Sequence, residues 1–232
     1  MKNPNGRRPA NHGGRAVTEA PLYSIGDVAH YLSLPTSTVR SWVTGGKRFR
    51  LVVPAAEQQG HVLSFQNLVE IYVLSSLRRK HHVRLAKVRS AIRYMRDQFG
   101  TEHPLCDARF FTDGRDVFIK HFEQLISASE SGQQGMKEVL DRYLERLEQG
   151  PGGVPVRLFP FSSPRLNAPK VVVIDPEVLF GQPCITGTRI PTAVIAERYK
   201  AGDSIDELAA DYEREGHEIQ EVVRYEFRER AA

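Results

Sequence analysis

The stretch "SIGDVAHYLSLPTSTVRSWV", Ser24 to Val43, leaves very few folds open. Ile25, Val28, Ala29 and Leu32 recur at helical spacing behind Ser24, whose hydroxyl can accept from the free N–H groups of a first helical turn. Ser33, Leu34 and Pro35 then break the pattern, because proline lacks an N–H and pushes its predecessor away from helical geometry. Thr36 is placed to cap a second short helix with Val39, Trp42 and Val43 on its inner face, closed by Thr44, Gly45 and Gly46. Helices this short find most of their stability in packing. Small Ala29 lets the two cross closely and Leu34 plugs the turn, so a helix-turn-helix is expected.

What the pair presents outward points to a polyanion. Thr36, Ser37, Thr38, Arg40 and Ser41 face away from the inner stripe. Hydroxyls near a helix start suit phosphate oxygens, and Arg40 can reach a phosphate or a guanine edge. Two strand-like pieces, "FRLVVP" and "HVLSF", follow around "AAEQQG" and describe a wing, with Lys47, Arg48 and Arg50 at its start, placed for the DNA backbone. A helical region from Asn67 to Phe99 adds Arg84, Lys87, Arg89, Arg93 and Arg96 on its polar faces. Residues 1–100 carry 16 Lys+Arg against 5 Asp+Glu, whereas the remainder carries 16 against 23. The basic excess is confined to the part with the helix-turn-helix, which makes duplex DNA the expected partner of that part alone.

The rest of the chain reads as mainly α with small β elements. Residues 1–20 form a polar, basic arm expected to be disordered. Residues 21–100 are the winged helix-turn-helix, 101–168 a middle α+β segment with a linker, and 169–232 a small C-terminal helix-turn-helix-like domain. Within the middle segment "ARFFTDGRDVFIK" reads as a hairpin on its Asp-Gly pair. Met136, Val139, Leu140, Tyr143, Leu144 and Leu147 mark a helix, ended by "GPGG", and "VPVRLFPF" and "KVVVID" are candidate strands. Two distant cysteines, Cys106 and Cys184, give neither a disulfide framework nor a metal-ligand spacing. With no long apolar run and no signal-peptide pattern, a soluble cytosolic protein is expected. No catalytic constellation, metal site or cofactor is expected.

The segment "FGQPCITGTRIPT" is the densest in turn residues. Asp175, Pro176 and Gly181 outline one helical turn before it, Gly187 a reversal, and Thr192 the cap of the helix "AVIAERYKAG". It lacks consecutive glycine amides with a lysine, so it is no phosphate cradle, and it holds no base. Arg189 is left without a local duty: a partner-binding residue or a structural strut. Beyond it, Ser204 and Glu207 form a capping box, and the last helix carries Glu218, Glu221, Glu226 and Glu229. Phosphates would repel so acidic a helix, so this unit should bind protein.

"YSIGDVAHYLSLPTSTVRSW" with "LVVP" and "LSFQNLVEIYVLSSLRR" resembles the winged head of the MerR family over about Leu22 to Phe99. It departs in the wing, at Gly60, His61 and Val62, and lacks that family's long dimerising helix and metal-binding cysteines. Lys170 to Phe227, with its Asp-Pro, its "GTRI" turn and "GDSIDELA", resembles the domain of unknown function four-three-three of VapB-type antitoxins. Together these resemblances imply an antitoxin of a VapBC-like module, a PIN-like ribonuclease toxin as partner, and autorepression through operator DNA; a homodimer on DNA is expected because one short helix gives too little specificity. Arg forks pair carboxylates bidentately, as an inhibitor of a carboxylate-rich Mg²⁺ site requires. Arg189, Arg224, Arg228 and Arg230 are the candidates, the last three with pairing to neighbouring Glu as their alternative use. A stand-alone MerR-like regulator with a sensing C-terminal part is the alternative function.

Overall fold

The computed structural model describes residues 16–45, 51–81, 85–126, 130–162 and 168–228. The fold is mainly helical, with two small two-stranded sheets. Helices α1 (Ile25–Tyr31) and α2 (Thr36–Thr44) form the expected helix-turn-helix. Ser24 and Asp27 cap α1 reciprocally, the Ser24 hydroxyl accepting from the Asp27 N–H at 3.1 Å and the Asp27 carboxylate from the Ser24 N–H at 2.8 Å. Pro35, not Thr36, holds the cap position of α2, and Thr36 is its first helical residue. Val28, Ala29 and Val39 are fully buried at the crossing, and Leu34 is buried in the turn.

The wing is slighter than expected. Among the described residues it has no regular strand, only isolated bridges pairing Tyr23 with Leu63 and Glu57 with Val62. Asn67 organises it instead: its Oδ1 accepts from the Ala56 and Ser64 N–H groups at 3.0 Å, and its Nδ2 donates to the Pro54 carbonyl at 2.8 Å. The single helical region expected from Asn67 to Phe99 is two helices, α3 (Phe65–His81) and α4 (Leu85–Phe99).

The hairpin expected at residues 108–120 is a correction. Phe110–Gly114 is a π-helical turn that runs into α5 (Arg115–Ile126). The Asp-Gly pair serves close packing here: a Cβ on Gly114 would collide with the Phe99 ring and lie 2.8 Å from the Arg109 carbonyl. Phe110 and Phe118, two helical turns apart, meet edge to face at 5.8 Å in the core. Helix α6 (Glu130–Leu144) follows, then β1 (Leu147–Gln149) and β2 (Pro155–Leu158) as an antiparallel ribbon. Strand-like "VPVRLFPF" therefore pairs with Leu147–Gln149, the end of the expected helix, and meets "KVVVID" through a Leu158–Ile174 bridge, an Arg157–Asp175 ion pair at 2.7 Å and the packing of Phe159 on Val173.

The C-terminal part opens with a second ribbon, β3 (Val172–Val173) against β4 (Cys184–Ile185). Helices α7 (Thr192–Ala201), α8 (Ile205–Asp211) and α9 (Gly216–Glu226) pack over Ile195, Leu208, Ile219, Val222 and Tyr225. Pro191 takes the cap of α7, and Thr192 is its first residue. This core is separate from the larger one shared by the head and the middle segment. Between these parts lies Arg146, 4% exposed, whose guanidinium donates to the carbonyls of Phe159, Pro160, Ala168 and Pro169.

Candidate nucleic-acid and partner interfaces

The outward face of α2 is open. Ser37 and Arg40 are exposed; the Arg40 carbonyl accepts from the Thr44 hydroxyl at 3.0 Å, while its guanidinium makes no ion pair or hydrogen bond among the described residues. Thr36, Thr38 and Ser41 are half-buried beside them. Ser41 donates its hydroxyl to the Thr38 carbonyl at 2.8 Å, which leaves its oxygen lone pairs for a partner's donor. Lys47, Arg48 and Arg50 lie outside the described residues. The chain behind them returns to α2, where the Val52 and Val53 N–H groups donate to the Trp42 carbonyl at 2.8 and 3.1 Å. Arg96, grouped with the basic surface in the sequence, is half-turned to structure: it donates to the Val52 carbonyl at 2.8 Å.

The C-terminal pair α8–α9 repeats the head's geometry position by position. Ser204 and Glu207 form the same reciprocal cap as Ser24 and Asp27. Ser33 and Glu213 hold the same left-handed turn, φ 52° and 51°. Leu34 N–H donates to Ala29 at 2.8 Å, and Arg214 N–H to Ala209 at 2.9 Å. Val28, Val39 and Trp42 find buried counterparts in Leu208, Ile219 and Val222. The reading positions, by contrast, are changed: Thr38 becomes Glu218, Arg40 becomes Gln220 and Ser41 becomes Glu221. Glu218 is paired with Arg214 at 2.5 Å, and hydrogen bonding to that guanidinium, against some desolvation, holds its carboxyl below the ordinary range. Glu221 is buried and accepts from Ser162 at 2.5 Å and from Arg224. The second unit's reading face is anionic and partly covered by its own chain.

The four candidate arginines of the C-terminal part separate cleanly. Arg189 is exposed, on the Gly187 reversal, and makes no hydrogen bond, ion pair or ring contact among the described residues. Arg224 is paired with Glu221, one turn away. Arg230 lies outside the described residues. Arg228 reaches the head: it donates to the His30 and Tyr31 carbonyls at 3.0 and 2.6 Å and stacks on Tyr225 at 3.6 Å. It is spent within the chain.

Around Arg228 is a clasp that no local sequence pattern announced. Glu226 joins His30 at 2.8 Å and accepts from the Thr192 hydroxyl, while the Tyr225 hydroxyl donates to the Tyr31 carbonyl at 3.1 Å. Burial pushes the Glu226 carboxyl up, but His30, Thr192 and Arg228 outweigh it, and the net shift is downward. Tyr31, desolvated beside Asp27 and Glu226, is pushed up to about 12. The segment before β4 joins the same seam: Gly181 sits against the buried Tyr23 ring, so close that a Cβ would collide with its hydroxyl. Leu179, Phe180 and Gly181 all have positive φ, at 50°, 55° and 76°, and Phe180 is 76% exposed. The sequence did not single out Phe180, because residue type alone does not report the backbone turn that exposes it.

Among the described residues no group of three or more His, Cys, Asp or Glu could hold a metal, and no helix is long and apolar enough to cross a membrane. Cys106 and Cys184 are buried free thiols, both pushed up by burial.

Comparison with known proteins matches the two ends of the chain separately. Residues 21–92 match a family model described as "Putative DNA-binding HTH domain", and residues 172–225 match "Protein of unknown function (DUF433)". A Mycobacterium tuberculosis relative described as "Putative antitoxin VapB45" is 25% identical over 220 residues, covering 84% of this chain and 89% of the relative. A second from the same organism, "Uncharacterized protein Rv2308", is 25% identical over 221 residues, covering 90% and 92%. The crystal structure of Rv2018 from Mycobacterium tuberculosis shares the fold, with a TM-score of 0.67 at 21% identity over 88% of this chain and 98% of that one. The chain thus carries a helix-turn-helix domain of the DNA-binding kind at one end and a DUF433 domain at the other.

Proposed function

We propose that this chain is the antitoxin of a type II, VapBC-like module: it binds and neutralises a PIN-like ribonuclease toxin in the cytoplasm and represses its own operon through operator DNA. The observation that carries the reading is the division of labour between two copies of one motif. The first exposes Ser37 and Arg40 within a basic half, and the second is anionic and lies beside the exposed Arg189. The likeness to a relative described as "Putative antitoxin VapB45", over 84% of this chain and 89% of that one, supports it.

On DNA, Ser37 and Arg40 enter the major groove, with Arg40 aimed at a guanine edge and Thr36, Thr38 and Ser41 at phosphates. Lys47, Arg48 and Arg50 add backbone contacts. One short helix reads few base pairs, so two copies bind as a homodimer, with half-sites about one helical turn, roughly 34 Å, apart. On the toxin, the Arg189 fork pairs the carboxylates that hold its Mg²⁺. Arg224 can join by exchanging its partner Glu221.

The test uses the full chain purified with the product of the adjacent gene. Arg189→Ala should release ribonuclease activity in that mixture while leaving gel-shift affinity unchanged, and Arg40→Ala should do the reverse. A wild-type chain that neither binds nor inhibits the neighbouring gene product removes the antitoxin reading, whatever its DNA binding.

A further inference from the structure

We propose that Phe180 is the apolar anchor of the toxin contact, held outward by a strained run of backbone; this rests on the antitoxin reading. Left-handed φ is a conformation that L-residues rarely adopt, and here Leu179 and Phe180 adopt it in succession ahead of Gly181. A glycine or asparagine would make the same turn without that penalty. Strain of this kind gathers at binding sites and switches, where the surrounding structure over-determines it.

The surroundings do so here. Val178 and Leu179 pack on Phe159, Val173 and Cys184, and Gly181 rests on Tyr23 of the head. Hydrogen bonds from the Gly181 N–H to the Val178 carbonyl, 2.9 Å, and from the Gln182 N–H to the Leu179 carbonyl, 3.2 Å, close the turn. With Leu179 turned inward, Phe180 has only solvent to face. It is the most exposed large hydrophobic side chain among the described residues, at 76% against 51% for Phe227, whose ring lies tilted 6.1 Å from that of Tyr199.

The chemistry of the occupant follows from the neighbour. The same loop continues through β4 to Arg189, so an apolar anchor and an unpaired cation flank one ribbon. Aromatics and arginine are the residues that carry most binding energy at protein interfaces, and rigid presentation keeps their ordering cost low. Their charge complement is a protein with an apolar socket beside a carboxylate cluster, as at the rim of a Mg²⁺-dependent nuclease site. A second copy of this chain fits less well, because its own C-terminal reading face has its carboxylates Glu218 and Glu221 already paired.

The experiment measures the affinity of the full chain for the adjacent gene product by titration calorimetry, with melting temperature and sedimentation velocity on the free chain. Phe180→Ala should weaken the complex by about 30-fold or more, the size expected of an interface anchor. Phe180→Tyr should restore most of it, and Phe227→Ala should leave it within about threefold. Phe180→Gly should lose affinity as Phe180→Ala does but melt no lower than wild type, since glycine relieves the left-handed backbone. Wild-type complex with Phe180→Ala unaffected overturns this inference and leaves the antitoxin reading standing, whereas no wild-type complex overturns both. A melting temperature lowered by Phe180→Gly would make Phe180 a structural residue, and a free homodimer dissociated by Phe180→Ala would give the loop to a second copy. Either result rejects the proposal.

Discussion

Replacing Arg146 with methionine should destabilise the chain more than any exposed substitution. The side chain is 4% exposed and, among the described residues, no carboxylate accepts from it. Its guanidinium donates at 2.7 Å to the Phe159 carbonyl, 2.6 Å to Ala168, 3.1 Å to Pro160 and 3.2 Å to Pro169, and it lies 4.7 Å over the Phe161 ring. Bonds from a charged donor contribute about 1.5–3 kcal/mol each, but these four share one group, and water can replace the half-buried bond to Pro169. The desolvation that lowers the Arg146 pKa is a further cost, recovered when the charge is removed. A net loss of about 3–5 kcal/mol remains, since the buried carbonyls left without a donor cost about 1–3 kcal/mol each. For a chain this size that is a fall in Tm of roughly 6–20 °C. Arg146→Lys should fall between, because an ammonium has three donors and no planar fork to span four carbonyls. The measurement is thermal and urea unfolding of the two variants beside wild type. If Arg146→Met costs less than about 1 kcal/mol, the four carbonyls are satisfied some other way and the reasoning is wrong.

Arg40→Ala should weaken operator binding by about 1–3 kcal/mol and relax specificity at one base pair, read by gel shift against single-base operator variants. A uniform loss across all sequences would place Arg40 on a phosphate instead. Gly181→Ala should lower stability by about 2 kcal/mol or more from its left-handed backbone together with the clash against Tyr23, and Tyr23→Phe combined with it should recover part of that. For His103, burial lowers its pKa, but the 2.9 Å bond to buried Glu70 raises it further, and the net shift is upward. That contact's stability is therefore full below the unfolded value of about 6.5 and is lost as pH rises through the higher folded value. Urea midpoints should fall above pH 6.5 in wild type and lose that slope in His103→Gln.

The helix-turn-helix was legible in the sequence because its signals are local: a cap at Ser24, a stripe at Ile25, Val28 and Ala29, a break at Pro35. The same holds for Ser204 and Glu207. Where the reading failed, a local cue served a distant purpose. Asp-Gly at 113–114 favours a hairpin in isolation, but Gly114 was needed for the approach to Phe99, and the aromatics at 110 and 118 were helical in period. The clasp of His30 and Tyr31 with Glu226 and Arg228 joins residues nearly 200 positions apart, so no window along the chain contains it. Arg228 therefore looked like a surface fork. Phe180 was invisible for another reason: residue type does not report the sign of φ.

The matched caps, turns and buried positions of α1–α2 and α8–α9 show that folding and reading are written in different letters of one motif. The positions that make the motif stand are the serine cap, the residue at φ near 50° and the three buried apolar sites. The outward positions are free of that duty, so one unit carries threonine, arginine and serine where the other carries glutamate and glutamine. The outward positions can therefore change without risking collapse of the scaffold. Specificity in such a chain can drift quickly while its architecture stays still, as a lock keeps its case when the pins are recut.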